Sequence, residues 1–133
     1  MERILTIGAL LALAGVAAGA FGAHSLRGIL PESMMDVFET GVRYHQIHAL
    51  GMLIAGLSGT LFRHQGFARA GWMFLAGIVI FSGSLYILAL SGIRSLGILT
   101  PFGGLAFLIG WFLLAKEFWK IRVPGNSSQN RIQ

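Results

Sequence analysis

The stretch AGWMFLAGIVIFSGSLYILALSGI, residues 70–93, contains no charged side chain from end to end. A helix needs about 20 mostly apolar residues to cross the hydrocarbon layer of a membrane, which is roughly 30 Å thick. Two further uncharged runs of about this length occupy residues 4–23 and 95–115. Runs of this kind predict membrane-crossing helices, and they decide the fold class.

The composition supports the same class of protein. Of the 133 residues, 55% are hydrophobic and 11% are charged, whereas an ordinary soluble domain carries about 25% charged residues. So few charges cannot cover the surface of a water-soluble globule, and a disordered chain would be far more polar. The chain has no cysteine, which excludes disulfides, thiolate catalysis and cysteine-held metal centres.

A fourth span is predicted at residues 44–62, although His45, Gln46 and His48 lie near its start. Neighbouring helices can shelter a few polar groups that an isolated helix could not. The predicted fold is therefore all-α: an integral-membrane four-helix bundle in one domain, residues 1–123, followed by a polar tail, 124–133, that is expected to be disordered. The spans are expected at about 4–23, 44–62, 70–92 and 99–117. The first run also fits the core of a cleaved signal peptide, although it exceeds the usual length of about 7–15 residues.

Helix 2 is predicted to begin at Pro31, well before its apolar part. Between Pro31 and the span, charged residues recur every three or four positions, and apolar residues occupy the opposite side of the helix. The charged stripe consists of Glu32, Asp36, Glu39 and Arg43, and the apolar stripe consists of Met34 or Met35, Phe38 and Val42. This pattern predicts an amphipathic extension that lies on the membrane surface or caps the bundle, with Glu39 and Arg43 able to pair. Thr100 followed by Pro101 similarly predicts a capped start of helix 4.

The basic residues predict the orientation of the spans, because Lys and Arg accumulate on the cytoplasmic side. Four spans place both termini on the same side. That side holds Arg3, Arg63, Arg69, Lys116, Lys120, Arg122 and Arg131, against Arg27, Arg43 and Arg94 on the other. Both termini are therefore predicted to be cytoplasmic. The net charge of +5 is interpreted as membrane topology, so no nucleic-acid partner is expected.

In this topology, polar residues from all four helices collect in the outer half of the bilayer. The candidate ligand-binding residues are His24, Tyr44, His48, Ser84, Tyr86 and Thr100. His24, Tyr44, His48 and Tyr86 are expected to lie close together and to face the bundle interior, because facing lipid would leave their polar atoms unpaired. His45 lies about 100° around the helix from Tyr44 and is expected to face elsewhere.

Several interpretations of this cluster remain open. Histidine and tyrosine can hydrogen-bond between helices, hold a quinone or another small molecule, ligate haem or a metal, or relay protons. No Asp or Glu lies within the predicted hydrocarbon layer, which argues against an ion-coupled transporter. Signatures of hydrolases, zinc proteases and phosphate-binding loops are missing, and His45-x-x-His48 lacks a clear third zinc ligand. The sequence thus favours a non-enzymatic protein and predicts no cofactor and no metal site.

Glycine is abundant, with 19 residues, and small residues allow membrane helices to approach closely. The residues predicted to serve helix packing are Gly15, Gly19, Gly22, Gly83, Gly103 and Gly104. Gly15 and Gly19 form a GxxxG pair, which fits either tight packing inside the bundle or a homodimer seam on helix 1.

Four blocks in order carry a family resemblance: GAFGAH at 19–24, FETGVRYHQIHAL at 38–50, FSGSLY at 81–86, and TPFGG at 100–104 with GW at 110–111. They resemble the small membrane-protein family called domain of unknown function 423, which is related to transmembrane protein 256. The resemblance covers nearly all of residues 4–115 and implies a bacterial inner-membrane protein with four helices. The chain departs from the family at Ser25, where glycine is usual. Position 45 commonly holds a different polar residue in the family, which makes His45 a poorer candidate than His24 or His48.

The resemblance supplies no reaction. The expected function is that of a multi-pass inner-membrane protein that acts as a non-enzymatic accessory or assembly partner of a membrane complex. Its expected partners are the lipid bilayer and either a larger complex or a second copy of itself. The alternative is binding of a small redox molecule (quinone or haem) or of a lipid in the outer-leaflet polar pocket.

Overall fold

The computed structural model describes residues 1–121 and consists almost entirely of helix. Helix α1 spans Glu2–Leu26, α2 spans Glu32–Leu61, α3 spans Gly66–Ser91 and α4 spans Arg94–Lys120. The connections are short, so consecutive helices run antiparallel. The all-α fold class is confirmed, whereas the tail predicted at 124–133 lies outside the described residues.

Three of the helices contain a segment that is not α-helical. The last turn of α1, Gly22–Leu26, is π-helical, a second π turn interrupts α3 at Ile78–Ser82, and α4 opens with a 3-10 segment, Arg94–Leu99. A π turn contains an extra residue, so the residues beyond it are rotated relative to a continuous α-helix. In α3 this rotation changes which side chains face α2.

The helices form two central and two outer elements. α2 and α3 pack against each other, α1 packs chiefly on α2, and α4 packs chiefly on α3. Met52, Phe67 and Phe74 are the largest apolar side chains that this packing buries completely. A closed four-helix bundle would also require α1 and α4 to lie side by side, and no such packing is among the main helix contacts of residues 1–121.

Three helices, α1, α3 and α4, are long and apolar enough to cross a membrane. α2 is equally long, but its first half carries the charged and polar residues noted above. Its buried residues extend from Met35 to Gly59, because α1 and α3 cover two of its sides. Helix α2 can therefore have a low hydropathy because it lies at the centre of the protein, where its neighbours cover His45 and His48.

The start of α2 is fastened to the connection that precedes it. Glu39 forms a 3.2 Å ion pair with Arg27, which lies between α1 and α2. The predicted pairing of Glu39 with Arg43 is therefore wrong, because the connection brings Arg27 back along the first turns of α2. Both partners are exposed, so the pair contributes only tenths of a kcal/mol, about 0.2–1. Met35, Phe38 and Val42 are buried in this part of α2.

The predicted cap at Thr100 is also wrong. The 3-10 segment Arg94–Leu99 precedes Thr100, and no side chain of residues 1–121 caps the α-helical part of α4 with a hydrogen bond. The carbonyl groups of the 3-10 segment lie where they can accept hydrogen bonds from the first α-helical N–H groups, so a capping side chain is not needed there. Pro101 does lie in the first α-helical turn, as predicted.

Candidate functional site

His45 and Tyr86 join the two central helices. Nδ1 of His45 on α2 and the hydroxyl of Tyr86 on α3 are hydrogen-bonded at 3.1 Å. The phenol ring packs against Gly41 and Phe38 of α2. A Cβ atom at Gly41 would lie 2.9 Å from this ring, so the absence of a side chain there lets the ring lie on the α2 backbone. The pair is a polar contact between helices, enclosed by apolar packing.

His48 is held by a different set of groups. Its Nδ1–H donates a 2.7 Å hydrogen bond to the carbonyl of Tyr44 on the preceding turn. A neutral ring with this proton on Nδ1 carries its lone pair on Nε2. The ring lies flat on Phe107 of α4, with 3.4 Å between the ring centroids and 7° between the planes. His48 is therefore an aromatic packing residue as well as a polar one.

Tyr44 and His48 share one wall of α2, as their spacing predicted. Their ring centroids are 5.8 Å apart, and the ring of Phe81 from α3 lies 4.6 Å from that of Tyr44. Tyr44 is nevertheless 39% exposed, whereas His48 is buried. The Tyr44 ring thus covers one edge of the aromatic group formed with Phe81 and Phe107, and its outer side faces away from the protein.

The prediction that His24, Tyr44, His48 and Tyr86 form one inward-facing cluster is wrong in its geometry. His24 is exposed on the π turn of α1 and makes no hydrogen bond or ring contact with the other three within residues 1–121. Tyr86 is turned toward His45, which faces away from Tyr44 as its 100° offset predicted. Whether any of these residues binds a ligand stays a prediction.

The remaining two candidates, Ser84 and Thr100, make no hydrogen bond to another candidate residue within residues 1–121. The Ser84 hydroxyl donates a 2.9 Å hydrogen bond to the carbonyl of Phe81 in its own helix. In the described part of the chain, Thr100 Oγ1 is buried without a hydrogen-bond partner, as are Ser82 Oγ and His45 Nε2. Most buried polar atoms in proteins are paired. These three atoms, one each from α2, α3 and α4, are therefore the points where a bound hydroxyl or water could be held.

The glycines of α1 form one continuous contact face toward α2. A Cβ atom at Gly15 would lie 3.0 Å from Gln46, one at Gly19 would lie 3.3 Å from Val42, and one at Gly22 would lie 2.9 Å from Phe38. In addition, Gln46 donates a 3.2 Å hydrogen bond to the Gly15 carbonyl. The GxxxG pair is thus occupied by α2 of the same chain, and a homodimer seam through these two glycines does not fit the structure.

The predicted packing glycines of α3 and α4 behave unequally. A Cβ atom at Gly103 would overlap the backbone of Phe81, and one at Gly104 would make only ordinary contact with the Phe81 ring, at 3.9 Å. At Gly83 it would meet nothing closer than the carbonyl of Ile78 in its own helix, 4.0 Å away. Gly103 therefore lies at a close α3–α4 crossing, whereas Gly83 borders an open apolar groove.

A charged group at the opposite end of the protein was missed by the sequence analysis. The Glu117 carboxylate is 1% exposed and receives Lys120 Nζ at 3.1 and 3.2 Å, with His64 at 3.5 Å and Arg69 at 3.6 Å. A Cβ atom at Gly66 would lie 2.6 Å from this carboxylate, so glycine leaves the space that it fills. The ion pairs of Glu117 with His64 and Arg69 join α4 to the α2–α3 connection and the start of α3. The one sequence signal of this charged group is the i,i+3 pair of Glu117 and Lys120.

The described chain offers no evident metal centre. Within residues 1–121, no three or more His, Asp or Glu side chains converge as a metal site would require. The arrangement can instead hold helices together through buried polar contacts and aromatic stacking.

Residues 1–121 are almost entirely helical, three of the helices are long and apolar enough to cross a membrane, and a histidine–tyrosine hydrogen bond joins the two central helices. This is the construction of a small integral membrane protein. Residues 18–104, more than half of the chain, match the family described as "Protein of unknown function (DUF423)". The chain belongs to this family, and the resemblance carried by the four sequence blocks is confirmed.

Curated relatives agree with this assignment. The chain is 47% identical over 115 residues to the UPF0382 membrane protein YwdK of Bacillus subtilis, covering 86% of this chain and 94% of the relative. A UPF0382 membrane protein of Staphylococcus haemolyticus is 48% identical over 121 residues, or 90% of this chain and 98% of the relative. No solved structure matches the chain. The names of these relatives describe membrane proteins and state no activity.

Proposed function

We propose that this protein is a non-enzymatic accessory or assembly partner of a membrane complex, acting in the bacterial inner (plasma) membrane. All four helices cross the bilayer in this proposal, and the partner packs against the outer face of α1. That outer face is the observation that carries the proposal.

The face of α1 opposite its glycines carries several small side chains. It exposes Thr6, Ala9, Ala17 and Ala20, together with the larger Leu10, Leu13 and Phe21. The exposed face of α4 carries bulky residues instead, namely Phe102, Leu105, Leu108 and Phe112. Small residues let a second helix approach closely, whereas bulky aliphatic and aromatic residues are typical of contact with lipid chains. The contrast supports a helix of another subunit, or of a second copy, against α1.

The interior of the protein supports a structural role for its histidines. His45 is bonded to Tyr86, and His48 is bonded to a backbone carbonyl and covered by Phe107. Each ring uses its Nδ1 and its apolar ring contacts within the chain, which favours a structural role for both histidines.

The exposed side of α2 supports it as the fourth span. Ile47, Leu50, Ile54 and Leu57 are exposed and recur every three or four residues. Such a stripe provides an apolar surface toward lipid, while the polar residues of the same helix face its neighbours. Four spans, together with the excess of basic residues on the side of the termini, favour cytoplasmic termini. A reporter that works only in the cytoplasm should be active at residue 133 and inactive near Gly28; activity near Gly28 would contradict this orientation.

Site-directed photo-crosslinking in living cells tests the assembly role. A photoreactive amino acid at Ala17 should give one discrete protein adduct, and the same group at Leu108 on α4 should give lipid adducts. The Ala17→Leu variant should fold normally but lose the adducted protein on purification, with Leu108→Ala as the matched control. Lipid adducts alone from both positions would contradict the proposal, and an adduct with a second copy would identify the partner as the protein itself.

A second candidate function is binding of a small redox molecule or a lipid, and the geometry of His48 favours it. Its Nδ1–H is donated to a carbonyl, which is how metal-ligating histidines are commonly oriented, with Nε2 left as the lone-pair donor. Nε2 could thus ligate a haem iron or accept from a quinol or lipid hydroxyl. It could not donate to a quinone carbonyl without gaining a proton. A Soret band, or a stoichiometric quinone in the lipid extract, would support this candidate over the first.

A further inference from the structure

A cavity of about 610 Å³ opens at the end of the protein where α1 and α3 begin and α2 ends. Its lining includes Arg3, Arg63, Gln65 and Trp72. The cavity lies far from His45 and His48 along the helices, and neither the histidine contacts nor the proposed partner face of α1 uses it.

The electrostatics of this cavity favour an anion. Arg3 and Arg63 contribute two guanidinium groups against one carboxylate, that of Glu2. Helices α1 and α3 also begin at this end, and helix N-termini favour negative charge. The opposing C-terminus of α2 is partly neutralised, because the N–H groups of Phe62 and His64 bond to the Ser58 and Gly59 carbonyls.

The backbone of Arg63 gives a second, independent indication. Within residues 1–121 it is the one non-glycine residue with a positive φ, at 51°. It occupies the position after the last turn of α2 where glycine is usually found, because glycine has no steric penalty there. An arginine at this position is strained, and strained residues concentrate at functional sites. Unlike glycine, arginine has a side chain at this position, and that side chain lines the cavity.

The surroundings of the cavity match a lipid better than a free anion. Trp72 is 43% exposed, and tryptophan is enriched at the level of lipid headgroups. Leu61 and Phe62, which precede Arg63, are exposed apolar residues, and Ile4 lines the cavity as a buried apolar residue. We infer that the cavity binds the phosphate of an anionic phospholipid from the adjacent leaflet. Arg3, Arg63 and the Gln65 amide contact the phosphate, and Trp72 contacts the glycerol and upper acyl chains.

Native mass spectrometry of the full chain, titrated with phosphatidylglycerol or phosphatidylcholine, tests the inference. Phosphatidylglycerol should bind tighter, and its affinity should fall with added salt because exposed charges are screened. Arg3→Gln and Arg63→Gln should each weaken phosphatidylglycerol binding about five-fold, since a basic residue near an anionic surface contributes about that much. Arg94→Gln, at the opposite end, is the matched control and should leave the affinity unchanged.

The Arg63→Gly variant separates a binding role from a folding role. Glycine relieves the backbone strain, so the thermal midpoint should stay the same or rise while phosphatidylglycerol binding falls about five-fold. Arg63→Lys keeps the charge and should bind within about three-fold of the unmodified protein. Equal affinity for the two lipids, an equal loss in Arg94→Gln, or displacement of phosphatidylglycerol by millimolar inorganic phosphate would overturn the inference. In the last case the site would be one for free phosphate.

Discussion

Replacing Tyr86 with phenylalanine removes one oxygen atom and keeps the ring that packs on Gly41 and Phe38. The lost hydroxyl is the partner of His45 Nδ1 at 3.1 Å. Hydrogen bonds between helices in membranes contribute about 0.6–2 kcal/mol. The substitution leaves Nδ1 of His45 without this partner in a buried place. We therefore expect the free energy of unfolding to fall by about 1–2 kcal/mol, in the upper part of that range.

Tyr44→Phe is the matched control for this experiment. Tyr44 is a partly exposed tyrosine whose hydroxyl makes no hydrogen bond within the described residues. It loses the same atom from the same residue type, so the free energy of unfolding should change by less than about 0.5 kcal/mol. The difference between the two variants isolates the hydrogen bond that joins α2 and α3.

Reversible unfolding in mixed micelles, followed by circular dichroism as dodecyl sulfate is added, measures both variants. A double-mutant cycle with His45→Leu completes the test, because Tyr86→Phe should cost little once its partner is absent. Equal losses in Tyr86→Phe and Tyr44→Phe, or strictly additive losses in the cycle, would refute the structural role assigned to this pair.

Three further predictions follow from the packing. His48→Gln should still fold, because an amide can donate to the carbonyl one turn earlier. The missing ring stack should lower the free energy of unfolding by about 1 kcal/mol in thermal or denaturant unfolding. Loss of a bound chromophore in a folded His48→Gln variant would contradict this structural role. Gly103→Ala should lower the free energy of unfolding by about 1–3 kcal/mol, because the added methyl group overlaps the Phe81 backbone. Gly83→Ala places its methyl group in open space, so the free energy of unfolding should stay the same or rise by up to about 1 kcal/mol in the same assay. Glu117→Gln should lower the free energy of unfolding by about 1–3 kcal/mol, because it removes the charge that faces three basic groups. An unchanged free energy of unfolding would show that these ion pairs do not stabilise the fold.

Much of the fold could be predicted because uncharged runs are a local signal. The apolar runs starting at residues 4 and 95 fall within α1 and α4, and the run starting at residue 70 passes the end of α3 by only two residues. Pro31 marks the start of α2 as predicted. The glycines of α1 also lie at a helix contact. Each of these features depends on residues that are near in sequence, where length, charge and proline are sufficient evidence.

The pairing of His45 with Tyr86 could not be predicted, because it depends on how two helices are rotated against each other. The π turn at Ile78–Ser82 adds a residue to α3 and rotates everything beyond it, Gly83 and Tyr86 included. A continuous α-helical wheel therefore assigns these residues to the wrong faces of α3. No apolar pattern marks the π turn in advance.

The Glu117 group was missed for a different reason. Its basic partners His64 and Arg69 come from the α2–α3 connection and the start of α3, more than 40 residues away in sequence. In the sequence, the basic residues of this end were interpreted only as an indication of orientation. Their role as partners of Glu117 could be predicted only from the tertiary structure, in which α4 returns to the same end of the protein.

The most direct test of the central proposal is native mass spectrometry, with an absorption spectrum, of the protein extracted gently from its own membrane. A non-enzymatic assembly partner should be colourless and should retain a second protein subunit, or a second copy, at a fixed stoichiometry. Substitution of Ala17 by leucine should remove that subunit and leave the chain folded. A stoichiometric haem or quinone on a chain that carries no protein partner would contradict the proposal.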